Sequence, residues 1–75
     1  MKKAYLNKEE FDKLLGRKPL TQFVEDIVSN GYHITYQNFY GFYTGKNANW
    51  PLTLAFAVSE ILDKPIEQLF FIKET

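Results

Sequence analysis

Catalytic chemistry needs particular side chains at particular spacings, and this 75-residue sequence offers few of them. His33 is the single histidine and there is no cysteine, so neither a histidine base with a partner nor a metal site is predicted. Ser29 and Ser59 lack the base and the orienting acid that activate a serine nucleophile. The four glycines are scattered, so they form no phosphate-binding loop. The sequence therefore predicts a protein that is not an enzyme and that uses no metal, cofactor or small-molecule substrate.

Recognition chemistry is concentrated in residues 35–46, TYQNFYGFYTGK. The amides of Gln37 and Asn38 can pair bidentately with adenine in the major groove. Tyrosine and tryptophan, in turn, are enriched at protein interfaces because they supply contact area and a polar handle together. Seven of the thirteen aromatic residues lie within residues 32–50, namely Tyr32, Tyr36, Phe39, Tyr40, Phe42, Tyr43 and Trp50. This segment predicts a recognition surface, either for duplex DNA or for a protein.

The charge of the chain is balanced, with nine basic and nine acidic residues. Small nucleic-acid binders are usually basic, so this balance counts against a strong nonspecific attraction to phosphates. The acidic residues are unevenly distributed, however, since none lies between Asp26 and Glu60. We therefore expect one neutral to weakly positive face on a neutral molecule.

Apolar spacing and capping signals predict one all-α domain over residues 1–75. Asn7 and Glu10 have the spacing of a capping box, Thr35 can cap the third helix, and Gly45 can end it. The five predicted helices span about 8–15, 19–30, 35–44, 51–62 and 65–70. A strand over 32–44 is the competing interpretation, rejected because its apolar residues do not alternate cleanly. No apolar run is long enough to span a membrane, so a cytoplasmic protein is expected.

Residues 20–70 resemble the helix-turn-helix domains of lambdoid-type phage repressors, Cro proteins and their bacterial relatives. The residues that carry the resemblance are Ile34-Thr35, Phe39, Phe42, Gly45-Lys46, Pro51 and the closing segment 61–70, ILDKPIEQLF. The resemblance implies a compact five-helix domain of the phage repressor/Cro type. It also implies a transcriptional regulator of a phage or mobile element that binds duplex DNA through the helix at 35–44.

Two sets of DNA contacts follow from this hypothesis. The base-contact candidates are Tyr36, Gln37, Asn38 and Tyr40, and the resemblance also implies a base-contact position at Gly41. The phosphate-contact candidates are Arg17, Lys18, Gln22, Thr44 and Lys46. The basic residues among these are suitable phosphate anchors by their charge, whereas Gln22 and Thr44 are placed near the DNA backbone by the resemblance.

A second hypothesis assigns the same fold to an antirepressor or modulator that binds a repressor protein and blocks or alters its DNA binding. Its interface candidates are Tyr36, Tyr40, Tyr43 and Trp50, which are taken to be exposed. Zero net charge and the lack of a side chain at Gly41 motivate this alternative. A purely structural domain is a third interpretation, with no residue pattern in its favour.

The run from Leu52 to Val58 is nearly all apolar, which is broader than a single core-facing stripe requires. We expect a central helix that is packed on two sides. The alternative is that part of this run, or Phe70 and Phe71, forms a homodimer contact.

Overall fold

Within residues 2–47 and 49–74, the part of the chain that the computed structural model describes, five helices are flanked by two strands. The elements are β1 (Lys2–Leu6), α1 (Lys8–Leu15), α2 (Leu20–Ser29), α3 (Tyr36–Thr44), α4 (Leu52–Leu62), α5 (Ile66–Leu69) and β2 (Phe70–Glu74). None of the helices in these residues is long and apolar enough to cross a membrane.

The all-α prediction is wrong because the two ends of the chain form a two-stranded antiparallel sheet. In its register, Leu6 lies opposite Phe70, and Ala4 lies opposite Ile72. Leu6 is buried, so the face that it shares with Phe70 is turned towards the helices. Phe70 was predicted as the last residue of a helix, but its φ of −132° and ψ of 152° are those of a strand. Consecutive phenylalanines followed by isoleucine favour such an extended backbone once a partner strand is available.

The start of α1 shows how the first strand is joined to the last helix. The side chain of Asn7 accepts a hydrogen bond from the backbone N–H of Glu10 at 3.3 Å, as an N-cap residue does. The backbone N–H of Asn7, however, donates to the carbonyl of Leu69 at 2.7 Å. The Glu10 carboxylate instead accepts from the amide of Gln68 at 2.9 Å. Only half of the predicted capping box is therefore formed, and the other half is replaced by two contacts that hold α5 against α1.

Helix α3 begins and ends at local signals. The Thr35 hydroxyl accepts from the backbone N–H of Asn38 at 3.2 Å, and Gly45 ends the helix in the left-handed region with φ of +85°. Residues 36–44 are thus helical, not extended. Six residues, 30–35, connect α2 to α3, which is longer than the usual turn of ~3–4 residues in a helix-turn-helix.

Three fully buried phenylalanines form the centre of the core: Phe11 of α1, Phe23 of α2 and Phe39 of α3. The ring of Phe11 meets that of Phe23 edge-on, with centroids 5.1 Å apart, and the Phe23 and Phe39 centroids are 5.8 Å apart. Leu54 and Val58 of α4 are also fully buried in this cluster. Because each such side chain contributes about 1.5–3 kcal/mol by burial, the cluster fixes α3 firmly on the other helices.

Candidate recognition surface on helix α3

The side of α3 opposite Phe39 is open to solvent. Tyr36, Gln37, Asn38 and Tyr40 are all exposed, and these four residues are defined here as the α3 face. The two tyrosine side chains are 40% and 48% exposed, and their rings stack with centroids 5.9 Å apart and an interplanar angle of 26°. All four base-contact candidates named from the sequence are therefore accessible to solvent on one helix.

Tyr43 lies at the edge of this surface, and its side chain is engaged in contacts with α1. Its ring packs edge-on against Phe11 with centroids 5.7 Å apart, and its hydroxyl donates to the Asp12 carboxylate at 2.6 Å. The Lys8 ammonium lies 4.9 Å from the centroid of the same ring. Burial, and then the hydrogen bond to Asp12 and the negative charge of that carboxylate, raise the pKa of Tyr43 to about 12. Tyr43 therefore stays neutral at physiological pH and joins α3 to α1.

Gly41 does not occupy the base-contact position that the resemblance implies. It is buried, and a Cβ atom at this position would overlap with Nδ2 of Asn47. The backbone N–H of Asn47 donates to the carbonyl of Gly41 at 2.9 Å. The chain after α3 thus folds back over Gly41, and the missing side chain makes room for this return.

Trp50 was expected on the surface as a protein-interface residue, but only 5% of it is exposed, so this expectation is wrong. Its ring lies 5.7 Å from Phe39, 5.5 Å from Phe42 and 4.9 Å from Phe70, measured between centroids. Its indole N–H donates to the backbone carbonyl of Phe42 at 3.3 Å. A buried tryptophan needs such a partner for its N–H, and the end of α3 supplies it.

Two of the five phosphate-contact candidates are engaged by a carboxylate. The Lys18 ammonium forms an ion pair with Asp26, and the Gln22 amide donates to the same carboxylate at 3.4 Å. The hydrogen bond from Lys18 is the main reason why the pKa of Asp26 is lowered. The negative charge of Asp26 therefore lies beside Lys18 and Gln22, two residues that the DNA hypothesis assigns to phosphate contacts.

The other three phosphate-contact candidates, Arg17, Thr44 and Lys46, are exposed. The Thr44 hydroxyl donates to the carbonyl of Tyr40 at 3.0 Å, which leaves its oxygen free to accept a further bond. Arg17 and Lys46 form no ion pair with any residue in the described part of the chain. Helix α3 itself carries no charged side chain, so Lys46 is the cation at its C-terminal end.

Helix α4 packs against both α2 and α5, as expected from its apolar sequence, but part of its apolar run is exposed. Leu54, Ala55 and Val58 are buried, whereas Leu52 is 65% exposed and Phe56 is 50% exposed. Ile72 of β2, which the sequence pattern did not single out, is also 65% exposed. The broad apolar run in α4 was the sequence signal for this second, apolar surface. Ile72 extends the surface onto the sheet, and its position depends on the pairing of β1 with β2.

No group of histidine, cysteine or carboxylate side chains within residues 2–47 and 49–74 is arranged to hold a metal ion. No protein-family model, curated protein or solved structure matches the chain. The likeness to phage repressors and Cro proteins therefore stays a prediction from the sequence, and the arguments about function depend on the surfaces described above.

Proposed function

We propose that the chain is a small cytoplasmic transcriptional regulator of a phage or mobile element that binds duplex DNA through the α3 face. The observation that carries the proposal is the grouping of Tyr36, Gln37, Asn38 and Tyr40 on the solvent side of one helix. The opposite side of that helix is fixed in the core by Phe39. A helix held in this way can enter the major groove as a rigid body.

The proposal gives each residue a role. Gln37 and Asn38, in the first turn of α3, hydrogen-bond to base edges, adenine being the base that their amides match. Arg17 and Lys46 contact phosphates on either side. Lys18 must exchange the Asp26 carboxylate for a phosphate, so its net gain is small. With two or three phosphates engaged, log affinity should fall against log salt with a slope of about −2 to −3.

The test is selection from a random pool of duplex DNA at low salt, followed by salt titration on the selected sequence. Gln37→Ala should cost about 1–3 kcal/mol of binding free energy and relax the sequence preference. Lys46→Ala should weaken binding to all sequences and reduce the salt slope by about 1. Lys64→Ala, an exposed lysine between α4 and α5, is the matched control and should bind normally. Failure to bind any duplex at low salt would refute the proposal.

A second candidate function is an antirepressor or modulator that binds a repressor protein. The exposed, stacked pair Tyr36 and Tyr40 favours it, because rigid aromatic side chains without nearby charge on their helix suit a protein surface. The carboxylate of Asp26 would be tolerated there, since no phosphates approach. Tyr43 and Trp50 play no part in this version, because their side chains are engaged inside the domain.

The two candidate functions predict opposite effects for substitutions of Tyr40 and Lys46. Against a repressor protein isolated by cross-linking in the source cells, Tyr40→Ala should cost about 2 kcal/mol or more, and Lys46→Ala should cost little. Lys46→Ala should lower the affinity for duplex DNA by more than it lowers the affinity for a repressor protein. A chain that binds DNA but no repressor would exclude the second candidate.

A further inference from the structure

The two-stranded sheet has a second face that the core does not use. Side chains alternate between the two faces of a strand, and Leu6 and Phe70 lie on the core side. The other face carries a pair of rings and a pair of lysines, Tyr5 with Phe71 and Lys3 with Lys73, defined here as the outer sheet face. The core formed by the described residues includes none of these four. Both β2 members of the face are exposed, and both β1 members are partly exposed.

The two rings form a stacked pair across the strands. Tyr5 lies directly opposite Phe71 in the register, and the ring centroids are 5.9 Å apart with an interplanar angle of 27°. Cross-strand aromatic pairs stabilise a sheet, which accounts for the contact between the two rings. It does not account for the exposure of Phe71, whose side chain is still 46% open to solvent. Part of the ring pair is therefore free to receive a further flat group.

The two lysines of the outer sheet face lie directly opposite each other. Lys3 and Lys73 are partners in the register, and like charges in such positions destabilise an antiparallel pair. Neither lysine forms an ion pair with any residue in the described part of the chain. Glu74, the acidic residue of β2, lies opposite Lys2 and therefore on the core side of the sheet. An anion held between the two ammonium groups would remove their repulsion.

We propose that the outer sheet face binds single-stranded nucleic acid, with a base stacked on the Tyr5–Phe71 rings and an adjacent phosphate held by Lys3 and Lys73. The ring pair and the lysine pair are two residues apart along each strand, which is roughly 6.6 Å at a rise of ~3.3 Å per residue. One nucleotide can therefore reach both pairs. Exposed aromatic rings beside cations are the elements of sequence-independent binding to single strands.

The chemistry of the outer sheet face favours this partner over other anions. A nucleotide supplies a flat π-surface and a negative charge in one unit, and both have a counterpart on the face. An acidic peptide supplies the charge but leaves the rings uncovered. An anionic membrane takes up a broad apolar face, whereas the outer sheet face offers two stacked rings and no aliphatic side chain.

The same geometry distinguishes single strands from duplexes. In a duplex each base is covered by its neighbours in the stack, so no base surface is available to the Tyr5–Phe71 rings. The outer sheet face also shares no residue with the α3 face, so the inference does not rest on the proposed binding of duplex DNA. Each surface can be tested while the other is left intact.

The test is a ¹H–¹⁵N NMR titration of the full chain with an oligothymidylate of about 12 nucleotides at low salt. Amide shifts should change along β1 and β2, with a dissociation constant of roughly 0.1–1 mM, since only one base and one or two phosphates are engaged. Log affinity should fall against log salt with a shallow slope of about −0.7 to −1.4. Lys73→Gln should weaken binding and make that slope shallower. Lys2→Gln, on the core side of the same sheet, is its matched control and should bind normally.

Phe71→Thr should weaken binding at least about fivefold, the lower end of the effect of losing one stacked base. Its matched control is Ile72→Thr, because Ile72 is the next residue of β2, is 65% exposed and lies on the opposite face. Ile72→Thr should change the affinity by less than about twofold. Circular dichroism should show that both variants are folded, and Lys73→Gln tests the face with both rings in place.

The absence of shifts in β1 and β2 at about 1 mM oligonucleotide would overturn the proposal. So would equal losses with Phe71→Thr and Ile72→Thr, or equal shifts in β1 and β2 with a duplex of the same length. Equal affinity for thymidine monophosphate would show a site for free nucleotides instead of a strand. Binding to phosphatidylglycerol vesicles but not to the oligonucleotide would show a lipid contact. Gln37→Ala should leave binding to the oligothymidylate unchanged, so failure here is separate from failure of duplex binding.

Discussion

Replacing Tyr43 with phenylalanine tests the contact that joins α1 to α3. The substitution keeps the ring that packs against Phe11 and removes the hydroxyl that donates to Asp12 at 2.6 Å. A hydrogen bond to a charged group contributes about 1.5–3 kcal/mol when buried. Because this one is partly open to solvent, we expect Tyr43→Phe to lower the free energy of unfolding at pH 7 by about 1 kcal/mol.

The same contact predicts a dependence on alkaline pH. The pKa of Tyr43 is raised from 10.0 to about 12 in the folded chain, first by burial and then by Asp12. The unfolded chain therefore loses this proton first as the pH rises. The stabilising contribution is complete below pH 10.0 and is lost as the pH rises through about 12. A shift of this size sets an upper bound of about 2.7 kcal/mol, which solvent screening reduces to the ~1 kcal/mol given above.

The assay is urea unfolding of the wild type and of Tyr43→Phe, followed by circular dichroism at pH 7 and at a series of pH values up to about 11. The difference in unfolding free energy between the two proteins should begin to shrink above pH 10.0. Asp12→Asn combined with Tyr43→Phe completes a double-mutant cycle and should give a coupling close to the single-mutant loss. Tyr40→Phe removes an exposed hydroxyl and should change stability by less than ~0.5 kcal/mol. Equal stability of wild type and Tyr43→Phe at every pH would show that the contact contributes nothing.

Three further substitutions test local features by the same unfolding measurement. Thr35→Ala should cost about 1 kcal/mol because the cap on the N–H of Asn38 is lost, and Thr35→Ser should restore most of it. Gly41→Ala should gain less than the ~1 kcal/mol of helix propensity in the wild type, because its Cβ displaces the exposed side chain of Asn47, and should gain the full amount once Asn47→Ala has removed that side chain; equal effects in both backgrounds would count against the packing of Asn47 on Gly41. Trp50→Ala should cost about 3–5 kcal/mol, and a loss below 1 kcal/mol would mean that Trp50 is not a core residue.

The sequence indicated those elements whose signals are local. Thr35 and Gly45 define the ends of α3, and both act within a few residues of where they stand. The sheet could not be found in this way, because β1 and β2 pair across almost the whole length of the chain. Phe70 fits the helical spacing of Ile66 and Leu69, so the short last helix was extended by one residue into the strand.

The α3 face could be predicted from one inference. If Phe39 points into the core, then Tyr36, Gln37 and Tyr40 lie on the outside of the helix. Gly41 and Trp50 were misplaced for a shared reason. Both positions depend on the segment after α3, which returns over Gly41 and brings the indole under Phe42. A return of this kind is set by tertiary packing, and no periodic pattern in the sequence records it.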